Sequence, residues 1–70
     1  MRILSLAENI KKYREKANQS QKELSEEVGV TQQVISMYEQ GIKVPSLATA
    51  VGIAKALGTT VEKLVGDGMV

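Results

Sequence analysis

Residues 21–40 read QKELSEEVGVTQQVISMYEQ, and this stretch decides the fold. It contains two short runs in which apolar residues recur at helical spacing. Leu24 and Val28 lie one turn apart in the first run, and Ile35 continues the apolar stripe in the second. Gly29 stands where the first run must end, because glycine readily adopts the left-handed conformation that closes many helices. Two helices joined by a turn of roughly three or four residues that contains glycine form a helix-turn-helix unit.

Helical patterns also cover the rest of the chain, and no alternating pattern indicates a strand. Leu6 and Ile10 lie one turn apart in the first of these patterns. The first three predicted helices cover about residues 6–17, 21–28 and 32–40. A fourth helix begins near Ser46 and ends before Gly58, and a short fifth helix ends before Gly66. The predicted apolar face of the fourth helix consists of Leu47, Ala50, Val51, Ala54 and Leu57.

Hydroxyl-bearing residues stand where the helices must begin. A Ser or Thr followed three residues later by Glu has the spacing of a capping box, in which each side chain bonds the backbone amide of the other residue. This spacing occurs at Ser5 with Glu8, Ser20 with Glu23, and Thr59 with Glu62. Thr31 is the predicted cap of the third helix, and Thr59 fits the start of the last helix better than Thr60 does.

The size and composition of the chain limit the kinds of protein it can be. Its 70 residues make one small domain, with an expected core over about residues 6–65 and a tail over residues 66–70. Hydrophobic residues make up 43% of the sequence, and neither Cys nor His is present. Disulfides, thiolate metal sites and histidine-dependent catalysis are therefore excluded, and we expect no enzyme activity, metal or cofactor. Because no apolar run approaches the roughly 18 residues of a membrane helix, we expect a cytoplasmic protein.

The helix-turn-helix stretch and its flanks resemble the lambda-repressor-like proteins, the type found in Cro and the phage repressors, over about residues 6–65. The resemblance rests on Gln21, Leu24, Ser25, Val28, Gly29, Val30, Thr31, Ile35, Glu39, Gly41, Pro45, Ser46 and the run from Ala54 to Gly58. It implies a compact all-α domain of five helices that binds operator DNA as a dimer. Ser25 departs from the usual Ala, Gly52 replaces a polar helix former, and the third helix carries no Arg or Lys.

The third helix carries the candidates for contacts with DNA bases. On a helical wheel, Ile35 and Tyr38 face inward. The outward positions near its N-terminal half are Gln32, Gln33, Ser36 and Met37. Since this end of a recognition helix reaches the base edges of the major groove, we expect these side chains to contact bases, with Gln32 and Gln33 as the leading candidates. Glutamine can bond adenine bidentately, and an apolar group can touch the thymine methyl. Outside this motif, two adjacent glutamines would indicate only a polar helix start.

Other polar residues around the unit are candidates for contacts with the DNA backbone. They are Ser20, Gln21, Thr31, Gln40 and Lys43. Gln21 opens the second helix, whose N-terminal amides can bind phosphate, and the resemblance implies a backbone contact for it. The resemblance implies the same for Lys43, although a single loop lysine is usually only solvated. The net charge of +1 adds little support for nucleic-acid binding.

The resemblance also implies an ion pair between Arg14 on the first helix and Glu39 on the third. An Arg side chain can hold a carboxylate bidentately, and such a pair would tie the first helix to the helix-turn-helix unit.

A repeat of small residues on the fourth helix indicates a surface for a second copy of the chain. Ala48, Gly52 and Ala56 recur every four residues, and we expect Ile53 beside them to be only partly buried. Val65, Met69 and Val70 add apolar surface near the C-terminus. These features favour a weak homodimer through the fourth helix, the fifth helix or the tail, although small residues also occur where they merely fill a thin surface.

Taken together, the sequence favours a DNA-binding transcriptional regulator, expected to be a repressor that binds a pseudo-palindromic operator through its third helix. Such a protein would be bacterial or phage-encoded and associated with the nucleoid. The alternative is a protein-interaction module such as the antitoxin of a toxin–antitoxin pair. The weak net charge and the neutral third helix keep this alternative open.

Overall fold

The computed structural model of the protein describes residues 3–66, which form five helices and contain no strand. The helices are α1 (Ile3–Lys16), α2 (Gln21–Val28), α3 (Gln32–Gln40), α4 (Leu47–Ala56) and α5 (Val61–Val65). The third helix packs against α1 and α2, while α5 packs against α1 and α4. This arrangement confirms the expected all-α domain of five helices.

The first helix differs from its predicted bounds at both ends. It begins at Ile3 rather than near residue 6, so Ser5 lies inside the helix and is not its cap. Ile3 stands at helical spacing from Leu6, and the apolar periodicity therefore extends further back than the capping pattern suggested. The helix ends at Lys16, because Asn18 adopts a left-handed conformation with a φ of 57°.

The second and third helices have the predicted bounds, and local side-chain bonds explain where each begins. The Glu23 amide donates to Ser20 Oγ at 3.0 Å, and the Ser20 amide donates to Glu23 Oε1 at 2.8 Å, which completes the capping box. The bond from the Ser20 amide lowers the pKa of the Glu23 carboxyl, because it stabilises the charged form, and the Ser20 side chain acts in the same direction. Gly29 ends α2 with a φ of 86°, in the left-handed region that glycine tolerates. The Val34 amide donates to Thr31 Oγ1 at 3.1 Å and starts α3.

The last helix begins one residue later than the sequence indicated. Thr60 is its cap, since the Lys63 amide donates to Thr60 Oγ1 at 3.2 Å. The Thr59 amide instead donates to the Ala54 carbonyl at 2.8 Å and closes the end of α4. The prediction that Thr59 caps the last helix was wrong, because the spacing of a capping box takes no account of the carbonyls at the end of α4 that still need a donor.

Among the side chains that the structure describes, the largest fully buried ones come one from each helix and meet in a common core. These residues are Ile10, Leu24, Ile35, Ile53 and Leu64. Two expectations about α4 were therefore wrong, because Ile53 is fully buried and Leu47 is 75% exposed. The buried face of this helix has the regular helical spacing of Ala50, Ile53, Ala54 and Leu57.

The small residues of α4 do not form an open stripe. A Cβ atom built on Gly52 would lie 3.6 Å from Val28 Cγ1, so Gly52 faces α2 of the same molecule. Ala56 packs against the core, and Ala48 is exposed. Gly52, Ile53 and Ala56 were predicted to contact a second copy of the chain. They instead pack largely within the same molecule, because α2 and α5 cover this part of α4. Val65, which was expected to add apolar surface, is instead buried in the core, and Met69 and Val70 lie outside the described residues.

Asn9 joins the first helix to the last. Its Nδ2 donates to the Leu64 carbonyl at 2.8 Å. Gly66 follows with a φ of 57° and a ψ of −146°, a backbone conformation that is essentially restricted to glycine. A Cβ atom there would lie 2.9 Å from Asn9 Nδ2. Glycine at this position therefore serves both the backbone conformation and the close approach of α1.

Candidate nucleic-acid interface

The N-terminal end of α3 presents two glutamine side chains to solvent. Gln32 and Gln33 are both exposed, and they follow directly on the Thr31 cap. Ile35 and Tyr38 are buried, which fixes the rotation of the helix about its axis and keeps the glutamines on the outside. Each amide can donate and accept hydrogen bonds, as bidentate recognition of an adenine requires.

One turn further along α3, the predicted contact residues are less open. Ser36 and Met37 are half-buried rather than fully exposed. Gln40 is exposed, and its Nε2 donates to Ser36 Oγ at 2.8 Å. The Ser36 hydroxyl hydrogen is then free to be directed toward an external acceptor. Ser36 and Met37 therefore extend the surface formed by Gln32 and Gln33, but they are less accessible to solvent.

The two helix caps of the unit, Ser20 and Thr31, are exposed. Each side-chain oxygen accepts a bond from a backbone amide within its own helix. A hydroxyl group has one hydrogen to donate in addition to its acceptor lone pairs. Both caps can therefore offer a donor to a phosphate oxygen without giving up the bonds that start α2 and α3.

Lys43 lies in the segment between α3 and α4 and is exposed. The backbone there turns back on the end of α3, where the Ile42 amide donates to the Met37 carbonyl at 3.0 Å. The neighbours of Lys43 are exposed apolar side chains, with Ile42 at 68% and Val44 at 38% exposure. The Lys43 backbone thus lies at the C-terminal end of α3, beside Gln40 and at the opposite end of the helix from Gln32 and Gln33.

Arg14 and Glu39 form a bidentate ion pair beneath this surface. Arg14 Nε lies 2.6 Å from Glu39 Oε2, and Arg14 Nη2 lies 3.2 Å from Glu39 Oε1. Only 12% of the Arg14 side chain and 4% of the Glu39 side chain are exposed. The hydrogen bond to Glu39 raises the pKa of the Arg14 guanidinium, so the arginine remains charged. The pair ties α1 to α3.

Gln21 is held by a contact that sequence reasoning missed. Its side chain is half-buried, and its Nε2 donates to Glu39 Oε1 at 3.1 Å. The carboxylate of Glu39 therefore binds residues of both α1 and α2. Spacing along the chain carries no signal for this bond, because Gln21 and Glu39 lie on different helices and meet only after the helices pack.

Residues 3–66 lack the features of two other kinds of site. No helix in that range has both the length and the apolar character that crossing a membrane requires. The described part of the chain contains no cluster of three or more His, Cys, Asp or Glu side chains that could hold a metal ion.

Comparison with known proteins identifies the family. A family model described as Helix-turn-helix matches residues 10–64. An uncharacterised HTH-type transcriptional regulator of Bacillus subtilis strain 168, YgzD, is 42% identical over 53 residues, covering 76% of this chain and 80% of that protein. The residues matched by the family model include all of α2 and α3, and the candidate base contacts lie on α3.

Solved structures share the fold closely. The DNA-binding domain of the P22 C2 repressor superposes with a TM-score of 0.86 and 26% identity, covering 100% of this chain and 92% of that one. The master regulator for biofilm formation SinR, solved in complex with DNA, gives a TM-score of 0.82 and 27% identity, with coverages of 87% and 98%.

The fold also occurs as a part of larger proteins. Hydroxypropylphosphonic acid epoxidase from S. wedmorenis matches with a TM-score of 0.82 and 27% identity, but this chain spans only 33% of that enzyme. That likeness concerns one region of the enzyme, whereas the family model and the repressor domain match most of this chain. The chain belongs to the helix-turn-helix family of DNA-binding transcriptional regulators and has the lambda-repressor-like fold.

Proposed function

We propose that the protein is a repressor without catalytic activity that binds a pseudo-palindromic operator as a dimer, with α3 in the major groove. The observation that carries this proposal is the exposure of Gln32 and Gln33 at the N-terminal end of α3. The buried Ile35 and Tyr38 hold the opposite face of the same helix in the core. Occupancy of the operator would prevent polymerase from using the promoter.

In this proposal the glutamines read the base edges. Gln32 and Gln33 would bond the N6 and N7 atoms of adenines, and Met37 would contact a thymine methyl group. Ser36 can donate to an acceptor such as thymine O4, because Gln40 Nε2 donates to its oxygen and leaves the hydroxyl hydrogen free. An operator rich in A·T pairs under each α3 helix follows from this set of side chains.

Contacts with the DNA backbone would fix the position of α3 in the groove. The proposed residues are Ser20, Gln21, Thr31, Gln40 and Lys43. The exposed caps Ser20 and Thr31 lie at the N-termini of α2 and α3, where free backbone amides also favour phosphate. Such contacts position a protein on DNA without reading its sequence.

Two half-sites on one face of DNA lie about 34 Å apart, so a dimer is the simplest way to fill both. Of the small residues on α4, Ala48 remains exposed, and Leu47 beside it is 75% exposed. We propose that the contact between protomers uses this N-terminal end of α4. Sedimentation of the protein at high concentration, with and without operator DNA, tests the dimer, and a monomer under both conditions would rule it out.

Selection of bound duplexes from a random DNA library tests the base readout. We expect a two-fold symmetric site to be enriched, and Gln33→Ala to weaken binding to it by about 1–3 kcal/mol, because a bidentate base contact is lost. The matched control is Glu62→Gln, a change at an exposed residue of α5, which should bind the same site with unchanged affinity.

Failure to enrich any sequence would contradict the repressor proposal. The alternative is then an interaction module whose main partner is a protein, such as an antitoxin. A structural relative has been solved as a SinR protein–SinI protein complex, with a TM-score of 0.83 and 26% identity, so this fold also occurs in protein assemblies. A pull-down with the intact chain would be the next measurement in that case.

A further inference from the structure

The carboxylate of Glu39 lies where three parts of the fold meet. Its oxygens accept bonds from Arg14 Nε at 2.6 Å and from Arg14 Nη2 at 3.2 Å. Glu39 Oε1 also accepts from Gln21 Nε2 at 3.1 Å. Only 4% of the Glu39 side chain is exposed, so these bonds are shielded from water. One buried acidic group on α3 therefore holds the first side chain of α2.

The bond to Glu39 determines which hydrogen of the Gln21 amide remains available. Phosphate oxygens only accept hydrogen bonds, so Gln21 can bind phosphate only through an N–H group. The side-chain amide has two such hydrogens, and Glu39 takes one of them. Because the amide group is planar, fixing the first N–H also fixes the direction of the second.

The charge of Glu39 would oppose a phosphate nearby if it were not balanced. Arg14 balances it with a bidentate bond, and arginine stays protonated at all ordinary pH values. Arg14 Nη1 also donates to the Gln19 carbonyl at 2.7 Å, immediately before the cap of α2. The guanidinium thus lies close to the N-terminal end of α2, where a phosphate would be bound.

We propose that Glu39 is a positioning residue for DNA binding, which holds the Gln21 amide so that its second N–H is directed at a backbone phosphate. Arg14 cancels the charge that would otherwise repel this phosphate. The inference rests on the proposed DNA-binding function and adds to it a role for a residue that does not itself touch DNA.

A double-mutant cycle on operator affinity tests this inference. The four proteins are the unmodified chain, Glu39→Gln, Gln21→Ala and the double variant, with folding verified by circular dichroism under the binding conditions. In Glu39→Gln, Arg14 will take the amide oxygen, so the new NH2 group will face Gln21 Nε2 and displace it. We expect Glu39→Gln to lower operator affinity about fivefold more when Gln21 is present than when Gln21 is Ala, which is the loss of one hydrogen bond. The effect of leaving the Arg14 charge unbalanced is the same in both backgrounds and cancels in the cycle.

A control cycle shows whether the coupling is local. Glu39→Gln combined with Gln33→Ala should give additive losses of affinity, because separate contacts act independently. Equal effects of Glu39→Gln on affinity with and without Gln21 would show that Glu39 does not position the Gln21 amide and would overturn the inference. Absence of operator binding by the unmodified protein would remove the proposed function and this inference with it.

A second measurement needs no substitution, which matters if Glu39→Gln does not fold. NMR relaxation of side-chain amides in the free protein should show Gln21 Nε2 as ordered as the backbone, while the exposed Gln32 and Gln33 are mobile. A Gln21 amide as mobile as those two would overturn the inference.

Discussion

An Arg14→Met variant is expected to lose about 3–5 kcal/mol of unfolding free energy, because it leaves the Glu39 carboxylate buried without its counter-charge. The carboxylate is only 4% exposed, and two of its bonds come from this arginine. Urea unfolding followed by circular dichroism at low temperature measures the loss. Glu39→Gln should also lower the thermal midpoint, by less, since an amide oxygen can still accept from Arg14.

Two variants separate the buried pair from a general effect of removing charge. Lys12→Met removes an exposed cation from the same helix and should change stability by no more than about 0.5 kcal/mol. The double variant Arg14→Met with Glu39→Leu removes both charges and should recover most of the loss, because an apolar pair needs no solvation. An unchanged midpoint in Arg14→Met would show that the pair contributes nothing to the fold.

An Ile35→Ala variant is expected to lose about 2–5 kcal/mol of unfolding free energy, because it leaves a cavity under α3. Ile35 is fully buried and is the one fully buried side chain that α3 contributes to the core. The smaller change Ile35→Val should cost about 0.5–1.5 kcal/mol, so the two variants form a graded series. Urea unfolding of each variant provides the measurement.

The neighbouring Val34 offers a control within the same helix. It is half-buried, so Val34→Ala removes less apolar surface from water and should cost less than Ile35→Ala. A larger loss at Val34 would show that α3 is rotated relative to the core. That outcome would also change which side chains of the helix face outward.

Local signals in the sequence were sufficient for the helix-turn-helix unit. Ser20, Gly29 and Thr31 each satisfy backbone groups at a helix end, and such bonds depend on residues only a few positions apart. The start of α1 was misplaced because Ser5 has the capping spacing but sits within an apolar periodicity that began earlier. Local capping signals cannot show which of two competing patterns prevails when a helix packs.

The features that could not be predicted from the sequence depend on contacts between helices. The bond from Gln21 to Glu39 depends on how α2 and α3 pack. The burial of Ile53 and the closeness of Gly52 to Val28 depend on how α4 packs against its neighbours. The bond from Asn9 on α1 to the Leu64 carbonyl on α5 likewise depends on packing, because the two residues lie far apart in the sequence.

The balance of charges around α3 has a consequence for how the proposed repressor would search a genome for its operator. Residues 20–43 contain two lysines and four glutamates, and one of the glutamates is matched by Arg14. Affinity for arbitrary DNA comes mainly from cationic side chains that displace counterions from the phosphates. A surface with so few cations will bind only weakly to the many non-specific sites of a genome. In the proposed repressor, a small number of copies per cell would then keep the operator filled, because few of them would be bound elsewhere.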